Sequence, residues 1–336
     1  MIKIGLIGCG YMGRMHTACY NNIDDVKVTA MGQAPESARA FARENDAEFY
    51  PDGFELIKNS NVDAVDICLP TFLHARYAVE AMKYGKNVFV EKPAGLTKEE
   101  RRQMLDMEKM SGVKVQVGQV LRFWDEYDWL KKTVDAGTYG KPVSAVFKRV
   151  SPHPGWSVKS WLDDVKLSGG IGIDMGVHDI DFMRYLFGEP QTIQAQAARD
   201  KDGKIYQLFA MFGYNSGSTV QTEATWVSSR EYPFSAGYRV TLEKATAEYK
   251  DGKLTVYPDS GEMYSPEFPQ LHRVKKDEGG NISELGGYYN ELAYFADGLN
   301  GKNDLSRATL RDACRSVDLV EKVLEKAGGA ILNASN

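Results

Sequence analysis

The stretch GLIGCGYMG, residues 5–13, places three glycines in a G-x-G-x-x-G pattern at the end of an apolar run. The run predicts a buried strand and the residues after Gly10 predict a helix, which is the context in which this pattern binds a dinucleotide. Gly8 permits the tight turn, Gly10 lets a pyrophosphate approach the backbone, and Gly13 lets the helix pack closely on the strand. The helix amino terminus adds free N–H groups and a partial positive charge. The sequence therefore predicts a dinucleotide-binding turn formed by Gly8, Gly10, Tyr11, Met12 and Gly13; the alternative is a glycine-rich turn without a ligand.

The rest of the chain divides into two patterns of secondary structure. Up to about residue 120, apolar strand segments alternate with helical segments, which is typical of βαβ units and a parallel sheet covered on both faces. Later segments such as VSAVFKRV and STVQTEATWV alternate apolar and polar residues between turns, which predicts an antiparallel sheet with one covered face. Helical segments follow near residues 288–299 and 306–326. We expect an α/β protein with one domain over residues 1–120 and a second over residues 121–336.

Composition and charge narrow the class of protein. The chain has 336 residues, of which 43% are hydrophobic and 26% charged, as is ordinary for a globular protein. A formal net charge of -5 and the lack of a long basic run disfavour a nucleic-acid partner. The four cysteines have no C-x-x-C spacing, so neither a zinc site nor a disulfide framework is predicted. No stretch reaches the roughly 18 apolar residues that span a bilayer, and the amino terminus enters a strand without a leader. We therefore expect a cytoplasmic protein with no membrane association.

A second informative stretch is EKPAGLT, residues 91–97, which follows the apolar run NVFV. Pro93 cannot donate an amide hydrogen to a sheet and pushes the preceding residue towards extended geometry, so the strand should end at Glu91 or Lys92. The carboxyl edge of an open parallel sheet is where ligands bind. Lys92 at that edge carries chemistry or is a solvated turn residue, and the tripeptide alone favours the solvated residue.

Two further strand ends supply candidates for cofactor contact. An acid is expected about 20 residues after the glycines, where it binds the adenosine ribose, but Gln33 occupies that place and no arginine follows it directly. The choice between NAD and NADP is therefore open. Leu69, Pro70 and Thr71 end another strand and are expected to line the cofactor. His74 begins the following helix, where a hydrogen-bonding role is more common than a catalytic one.

The segment SGGIGIDMGVHDIDFMRYLFG, residues 168–188, supplies a carboxylate and an imidazole with helical spacing. Asp174 and His178 are four residues apart, so on a helix they lie on one face and can touch the same ligand. A carboxylate that orients an imidazole raises its basicity, which suits general base catalysis near neutral pH. A helix-capping aspartate beside a structural histidine fits the spacing equally well.

Taken together, these motifs resemble the glucose–fructose oxidoreductase / inositol dehydrogenase / MocA (GFO/IDH/MocA) family. The resemblance rests on GxGxxG, PTFLHA, VFVEKP, GQVLRF and GGIGIDMGVHDIDFMRYLFG, in that order, and covers most of the chain up to about residue 188. It implies a Rossmann domain followed by an α+β domain with a large open, mostly antiparallel sheet. It also implies a nicotinamide cofactor, sugars, sugar derivatives or cyclitols as substrates, and assembly into homodimers or homotetramers.

The resemblance also assigns roles to particular residues. It implies that Lys92 and Asp174 orient the reacting hydroxyl and tune its acidity, that His178 takes or gives its proton, and that Pro93 follows a cis peptide bond. Because the cofactor accepts the hydride, the reaction needs no metal. Gln119 and Arg122 of GQVLRF are expected to reach the cofactor amide or the substrate, His153 to overhang the site, and Trp161 to pack against a sugar ring. The complete sets are, for the cofactor, Gly8, Gly10, Tyr11, Met12, Gly13, Gln33, Leu69, Pro70, Thr71, His74, Glu91, Lys92 and Gln119, and for the substrate, Lys92, Arg122, His153, Trp161, Asp174 and His178.

Three functions are compatible with these residues. The leading hypothesis is an NAD(P)-dependent dehydrogenase acting on a secondary hydroxyl of a sugar, sugar derivative or cyclitol. A glycosidase that uses bound NAD transiently would share the same redox residues. A non-catalytic sensor of sugar and cofactor is disfavoured, because Lys92, Asp174 and His178 are all retained and no basic tail is attached.

Overall fold

The computed structural model of the chain describes residues 1–32, 36–154, 158–268 and 285–328. The described residues form two compact units. The first unit contains Met1–Phe123 together with residues 285–314, and the second contains residues 124–268 and 315–328. No helix within the described ranges is long and apolar enough to cross a membrane.

The first unit is built on a six-stranded sheet in which every strand pairs in parallel with its neighbours. The strands lie in the order β3-β2-β1-β4-β5-β6, so the chain reverses direction across the sheet between β1 and β4. Ligands of such sheets bind at this switch point, outside the carboxyl ends of the strands. The elements are β1 Ile2–Ile7, α1 Tyr11–Tyr20, β2 Val26–Gly32, α2 Glu36–Glu44, β3 Glu48–Tyr50, α3 Gly53–Asn59, β4 Ala64–Ile67, α4 His74–Lys83, β5 Asn87–Glu91, α5 Lys98–Ser111 and β6 Val115–Gly118.

The second unit is built on a seven-stranded sheet that is antiparallel except for one central pair. Its order is β13-β12-β11-β7-β10-β9-β8, and only β7 and β10 run parallel within it. The predicted α/β class, a Rossmann domain and a large, mostly antiparallel sheet, is therefore confirmed. The elements are α6 Asp125–Asp135, β7 Pro142–Pro152, α7 Val165–Ser168, α8 Val177–Phe187, β8 Thr192–Arg199, β9 Ile205–Gly213, β10 Thr219–Val227, β11 Ser235–Leu242, β12 Ala245–Lys250 and β13 Lys253–Pro258.

Two helices close the described chain, and the first of them belongs to the first unit. Helix α9, Gly286–Leu299, presents aromatic rings to that unit: Tyr288 lies 6.1 Å from the His16 ring and Phe295 lies 5.6 Å from the Phe89 ring. Helix α10, Leu310–Lys326, follows after a short 3₁₀ turn. The units of the structure thus differ from a linear division at residue 120, because a helix far along the chain packs among the elements of the parallel sheet.

The segment after β5 turns sharply into α5 through a pair of reciprocal hydrogen bonds. The Thr97 hydroxyl accepts the Glu100 N–H at 3.1 Å, and the Glu100 carboxylate accepts the Thr97 N–H at 2.9 Å and the Leu96 N–H at 2.8 Å. This capping box satisfies donors that the first turn of a helix leaves without partners. At the other end Gly112 adopts φ 69° and ends the helix. The chain after Lys92 is therefore held by local hydrogen bonds.

Replacement of Thr97 tests this cap. We expect Thr97→Ala to lower the free energy of unfolding by about 1 kcal/mol, because the Glu100 N–H loses its acceptor. Urea unfolding monitored by far-UV circular dichroism measures the change. Thr97→Ser keeps the hydroxyl and should retain most of the stability; equal losses in both variants would contradict a capping role.

Candidate functional site

The turn between β1 and α1 needs glycine at two positions for steric reasons. Gly8 has φ +104°, and a Cβ there would lie 2.5 Å from the Cys68 carbonyl oxygen. A Cβ at Gly13 would overlap the carbonyl oxygen of Gly8. Both glycines therefore allow α1 to pack directly against the ends of β1 and β4.

Gly10 differs from its two neighbours because open space surrounds it. A Cβ at Gly10 would meet no described atom within 4 Å. Gly10 is also the residue that precedes the first turn of α1, a turn with no acidic residue and no side-chain cap among the residues described. The arrangement leaves room and hydrogen-bond donors for an anion at a helix amino terminus, so it fits the pyrophosphate of a dinucleotide.

Lys92 lies directly after the carboxyl end of β5 and is half-buried. The bond between Lys92 and Pro93 is cis, as the family resemblance implied. The Lys92 N–H donates to the Glu91 Oε2 at 3.0 Å. The backbone at Lys92 is therefore tied to a carboxylate of its own strand.

A buried chain of polar side chains connects Glu91 to the interior of the first unit. His16 Nδ1 lies 2.8 Å from Asp66 Oδ2, and His16 Nε2 lies 3.2 Å from Glu91 Oε1. Cys68 Sγ lies 3.2 Å from His16 Nδ1. The side chains of His16 and Asp66 are fully buried and that of Glu91 is 9% exposed. One imidazole from α1 therefore joins carboxylates on two neighbouring strands, β4 and β5.

The protonation of these buried polar side chains follows from burial and from the opposite charges of their neighbours. Burial favours neutral His16, but Asp66 and Cys68 together outweigh it and raise the pKa of His16 well above its usual value. Burial likewise favours protonated Glu91, but the hydrogen bond and charge of His16 lower the pKa of Glu91 below its usual value. The charged forms of His16 and Glu91 therefore favour each other in this buried place.

Glu291 of α9 adds a third carboxyl group to the same buried place. Its side chain is fully buried, and neither carboxyl oxygen has a hydrogen-bond partner among the residues described. Donor atoms of His16, Glu91 and Glu291 lie within 4.8 Å of one another. Burial, followed by repulsion from Glu91, raises the pKa of Glu291 well above its usual value. Glu291 therefore holds its proton more tightly than an exposed glutamate does.

The remaining cofactor candidates lie in different surroundings. His74 is buried, with Nδ1 2.8 Å from the Pro93 carbonyl oxygen and Nε2 2.7 Å from the Leu69 carbonyl oxygen. Burial lowers its pKa, against the opposing effect of these two carbonyls. Thr71 is buried in a 3₁₀ turn, whereas Leu69 and Pro70 are half-buried. Gln33 lies outside the described residues. His74 thus bridges two backbone segments.

Gln119 and Arg122 follow β6 and are both buried, but they differ in their bonding. The amide nitrogen and oxygen of Gln119 have no hydrogen-bond partner within the described part of the chain. Arg122 is paired with Asp312 and donates to the Arg307 carbonyl oxygen at 2.8 Å. The Gln119 amide is therefore available for a ligand, while the Arg122 guanidinium is already bonded inside the first unit.

Asp174 and His178 lie on one continuous helical segment of the second unit. Asp174 is in a π-helical turn, Gly172–Gly176, that leads directly into α8, where His178 is the second residue. Such turns are frequent at functional sites. Both side chains are half-buried. The next residue, Asp179, accepts two hydrogen bonds from Arg149 at 3.0 and 3.3 Å, which anchors α8 to β7.

His153 and Trp161 lie elsewhere in the second unit. His153 Nε2 lies 3.0 Å from Asp163 Oδ1, and its ring packs edge-on against Trp226 at 5.1 Å. Trp161 is half-buried in a 3₁₀ segment, Val158–Asp163. The structure thus gives His153 local partners within its own unit.

Sequence reasoning did not include Asp66, Glu291 or His16 among the candidate site residues. Asp66 carried a signal, because an acid in the centre of the apolar strand AVDI is buried in a parallel sheet and needs a partner. Glu291 carried none, since its contact with α1 and β5 depends on the placement of α9. The contacts among these buried polar side chains therefore follow from the tertiary structure.

Comparison with known proteins identifies the class of protein. The family model described as oxidoreductase family, NAD-binding Rossmann fold matches residues 2–119, and the GFO/IDH/MocA C-terminal domain model matches residues 127–248. The scyllo-inositol 2-dehydrogenase (NAD(+)) of Bacillus subtilis (strain 168) is 31% identical over 238 residues, 68% of this chain and 68% of that protein. The first unit thus contains an NAD-binding Rossmann domain. The chain belongs to the GFO/IDH/MocA oxidoreductase family.

Two further relatives show how far the likeness extends. The myo-inositol 2-dehydrogenase of Thermotoga maritima is 34% identical over 192 residues, which are 56% of this chain and 55% of that protein. The chain therefore spans about half the length of that curated relative. The structure of levoglucosan dehydrogenase with NADH and levoglucosan has a TM-score of 0.83 at 20% identity, covering 97% of both chains. At that identity the likeness concerns the fold.

Substitutions in the glycine turn separate folding from cofactor binding. We expect Gly10→Ala to fold normally but to bind NAD about 10–100-fold more weakly, because the new methyl group fills the space for the pyrophosphate at about 1–3 kcal/mol. Isothermal titration calorimetry measures the dissociation constant. Gly13→Ala should instead lower the melting temperature, since its Cβ overlaps the Gly8 carbonyl. Normal NAD affinity in folded Gly10→Ala would contradict the fit.

The buried Glu291 generates a prediction about stability and pH. Because the native state holds the Glu291 proton more tightly than the unfolded state, native stability falls as pH rises above the usual value near 4.5. We expect Glu291→Gln to be more stable than wild type at pH 8 by about 1–3 kcal/mol, the cost of a buried, poorly paired ionisable group. The advantage should shrink towards pH 5. Urea unfolding at both pH values measures it.

An exposed glutamate provides the matched control for that experiment. Glu44 lies on the surface at the end of α2, so Glu44→Gln should change stability little at either pH. If the stability of Glu291→Gln depended on pH in the same way as that of wild type, the pKa of Glu291 would be the same in the native and unfolded states.

Proposed function

We propose that this chain is an NAD(P)-dependent dehydrogenase acting on a secondary hydroxyl of a sugar, sugar derivative or cyclitol. The observation that carries the proposal is Lys92 at the carboxyl end of β5, in a unit whose glycine turn fits a dinucleotide. Family membership and relatives named as inositol 2-dehydrogenases support this substrate class. NAD is proposed as the coenzyme, with NADP to be tested beside it.

The proposed cofactor site uses the backbone of the turn and the ends of the neighbouring strands. The N–H groups at the start of α1 would bind the pyrophosphate beside Gly10, and Gln33 would reach the adenosine ribose. Leu69, Pro70 and Thr71 would line the cofactor along β4. Gln119 would offer its buried amide, which has no partner within the described residues, to the carboxamide of the nicotinamide. NAD, when bound, supplies the hydride acceptor.

The proposed chemistry assigns one task to each polar side chain. Lys92 stabilises the negative charge that develops on the substrate oxygen, as a fixed cation does in a site that excludes water. His178 accepts the hydroxyl proton, and Asp174 orients the hydroxyl and tunes its acidity. The placement of Asp174 within a π-helical turn that leads directly into α8, the helix of His178, supports a functional role for this segment. These assignments rest on the motif resemblance and on the family to which the chain belongs.

A panel of sugars and cyclitols tests the proposal, with coenzyme absorbance recorded separately for NAD and NADP. We expect stoichiometric NADH formation with at least one polyol. With that substrate, Lys92→Ala should lower kcat by about 10²–10³-fold, because the developing oxyanion loses its cation. NAD affinity should stay within severalfold of wild type.

The control for this variant is Lys98→Ala, which removes an exposed lysine at the start of α5. Its turnover should match wild type. Unchanged turnover in Lys92→Ala would refute the role of Lys92. Release of an aglycone from glycosides without net NADH would instead favour the glycosidase, and light scattering on the same samples tests the expected homodimer or homotetramer.

A further inference from the structure

The buried polar chain of the first unit ends at the backbone of Lys92. From the interior outwards it runs through Asp66, His16 and Glu91, with contacts of 2.8 Å and 3.2 Å. The second oxygen of Glu91 then accepts the Lys92 N–H at 3.0 Å. Asp66, His16 and Glu91 belong to β4, α1 and β5, respectively. Their contacts therefore fix the end of β5 relative to the neighbouring strand and helix.

The residue on the other side of Lys92 is held in a similar way. The Pro93 carbonyl oxygen lies 2.8 Å from His74 Nδ1, and the other nitrogen of that ring contacts the Leu69 carbonyl oxygen at 2.7 Å. His16 and His74 are both buried in the first unit. Lys92 is therefore bracketed by two residues that each contact a buried imidazole.

Stability alone does not account for an ionised cluster in this place. Replacing a buried ion pair with apolar residues of similar size is often neutral or stabilising, because removing charges from water is costly. The cluster contains Asp66 and Glu91 around His16, with a third carboxyl group, Glu291, close by. What the pairs supply beyond an apolar core is direction, since the attraction between His16 Nε2 and Glu91 Oε1 at 3.2 Å favours one orientation of the carboxylate that holds the Lys92 N–H.

We infer that His16 is a positioning residue, which acts through Glu91 to fix the backbone at Lys92 and thus the direction of the Lys92 side chain. The inference rests on the proposed function of Lys92. His16 touches Asp66, Cys68 and Glu91 rather than the reacting groups. A displacement of about 1 Å at a reacting group is enough to cost about 10²-fold in rate.

The first arm of the test measures Lys92 directly and needs no substrate. An amine-reactive reagent labels the lysines of the intact protein, and mass spectrometry gives the labelling rate of Lys92 relative to exposed Lys98. We expect His16→Leu and His16→Gln to change this ratio at least about threefold, because the side chain of half-buried Lys92 would then extend from a backbone that the Glu91 carboxylate no longer fixes. Met15→Leu, a buried substitution in the same helix, is the matched control and should leave the ratio unchanged.

The second arm measures catalysis with the substrate that the panel identifies. His16→Gln should lower kcat about 10–100-fold with NAD affinity within about threefold, as expected for a misplaced group. The primary deuterium isotope effect on kcat should rise towards its full value, because hydride transfer becomes the slow step. A merely structural lesion would reduce the folded, active fraction and leave the isotope effect unchanged.

Substitutions of Glu91 keep the test decisive if a His16 variant fails to fold. Glu91→Gln retains an oxygen that accepts the Lys92 N–H, whereas Glu91→Leu removes it, so Glu91→Leu should alter Lys92 labelling and kcat more strongly. Labelling ratios and isotope effects equal to those of Met15→Leu in every folded His16 and Glu91 variant would overturn the inference. Stoichiometric metal in the purified protein that is lost in Glu291→Gln would also overturn it, since His16 would then be a metal ligand.

The two arms also separate this inference from the proposed function. If wild type turns over no polyol but the His16 variants alter Lys92 labelling, the positioning of Lys92 stands and the proposed activity fails. If Lys92→Ala abolishes turnover while the His16 variants match Met15→Leu in both arms, the activity stands and the positioning role fails.

Discussion

The close approach of α1 to the ends of β1 and β4 is the constraint on which the first unit depends. Gly8 and Gly13 meet backbone atoms where any other residue would place a Cβ, so the helix starts directly at the switch point of the sheet. That start leaves open space around Gly10 for a phosphate. It also places His16, in the second turn of α1, against Asp66 of β4 and Glu91 of β5. One steric requirement thus sets both the phosphate turn and the buried imidazole.

The His16 imidazole in turn stabilises a group of buried carboxyl groups. Three carboxyl groups in one apolar place cannot all be ionised, because each charge needs a partner or a proton. His16 pairs with Asp66 and Glu91, while Glu291 has a raised pKa and keeps its proton. The charge on Glu91 is therefore stable, and its second oxygen can hold the Lys92 N–H. The ion pairs of the core therefore also determine the backbone geometry at the end of β5.

The local features of this molecule were predictable from sequence, whereas its distant contacts were not. The glycine turn, the end of β5 at Glu91 and the two kinds of sheet follow from spacing and periodicity, and the structure confirms the fold class. Glu291 is brought to His16 by the packing of α9, and no local pattern reports that contact. Arg122 was assigned to the substrate from its motif, but its guanidinium is paired with Asp312, a residue far along the chain. The roles of Lys92, Asp174 and His178 stay predictions.

The arginines of the structure bear on the charge of the substrate. Phosphate and carboxylate groups are usually bound by arginine, whose planar fork matches their oxygens. The four buried arginines within the described residues are all bonded inside their own unit: Arg101 to the Gly95 and Leu96 carbonyls, Arg122 to Asp312, Arg149 to Asp179 and Arg184 to Glu189. These four guanidinium groups would therefore have to give up their present partners to bind an anionic substrate. An uncharged polyol needs no such arginine, which is why the proposed function is tested first with neutral sugars and cyclitols.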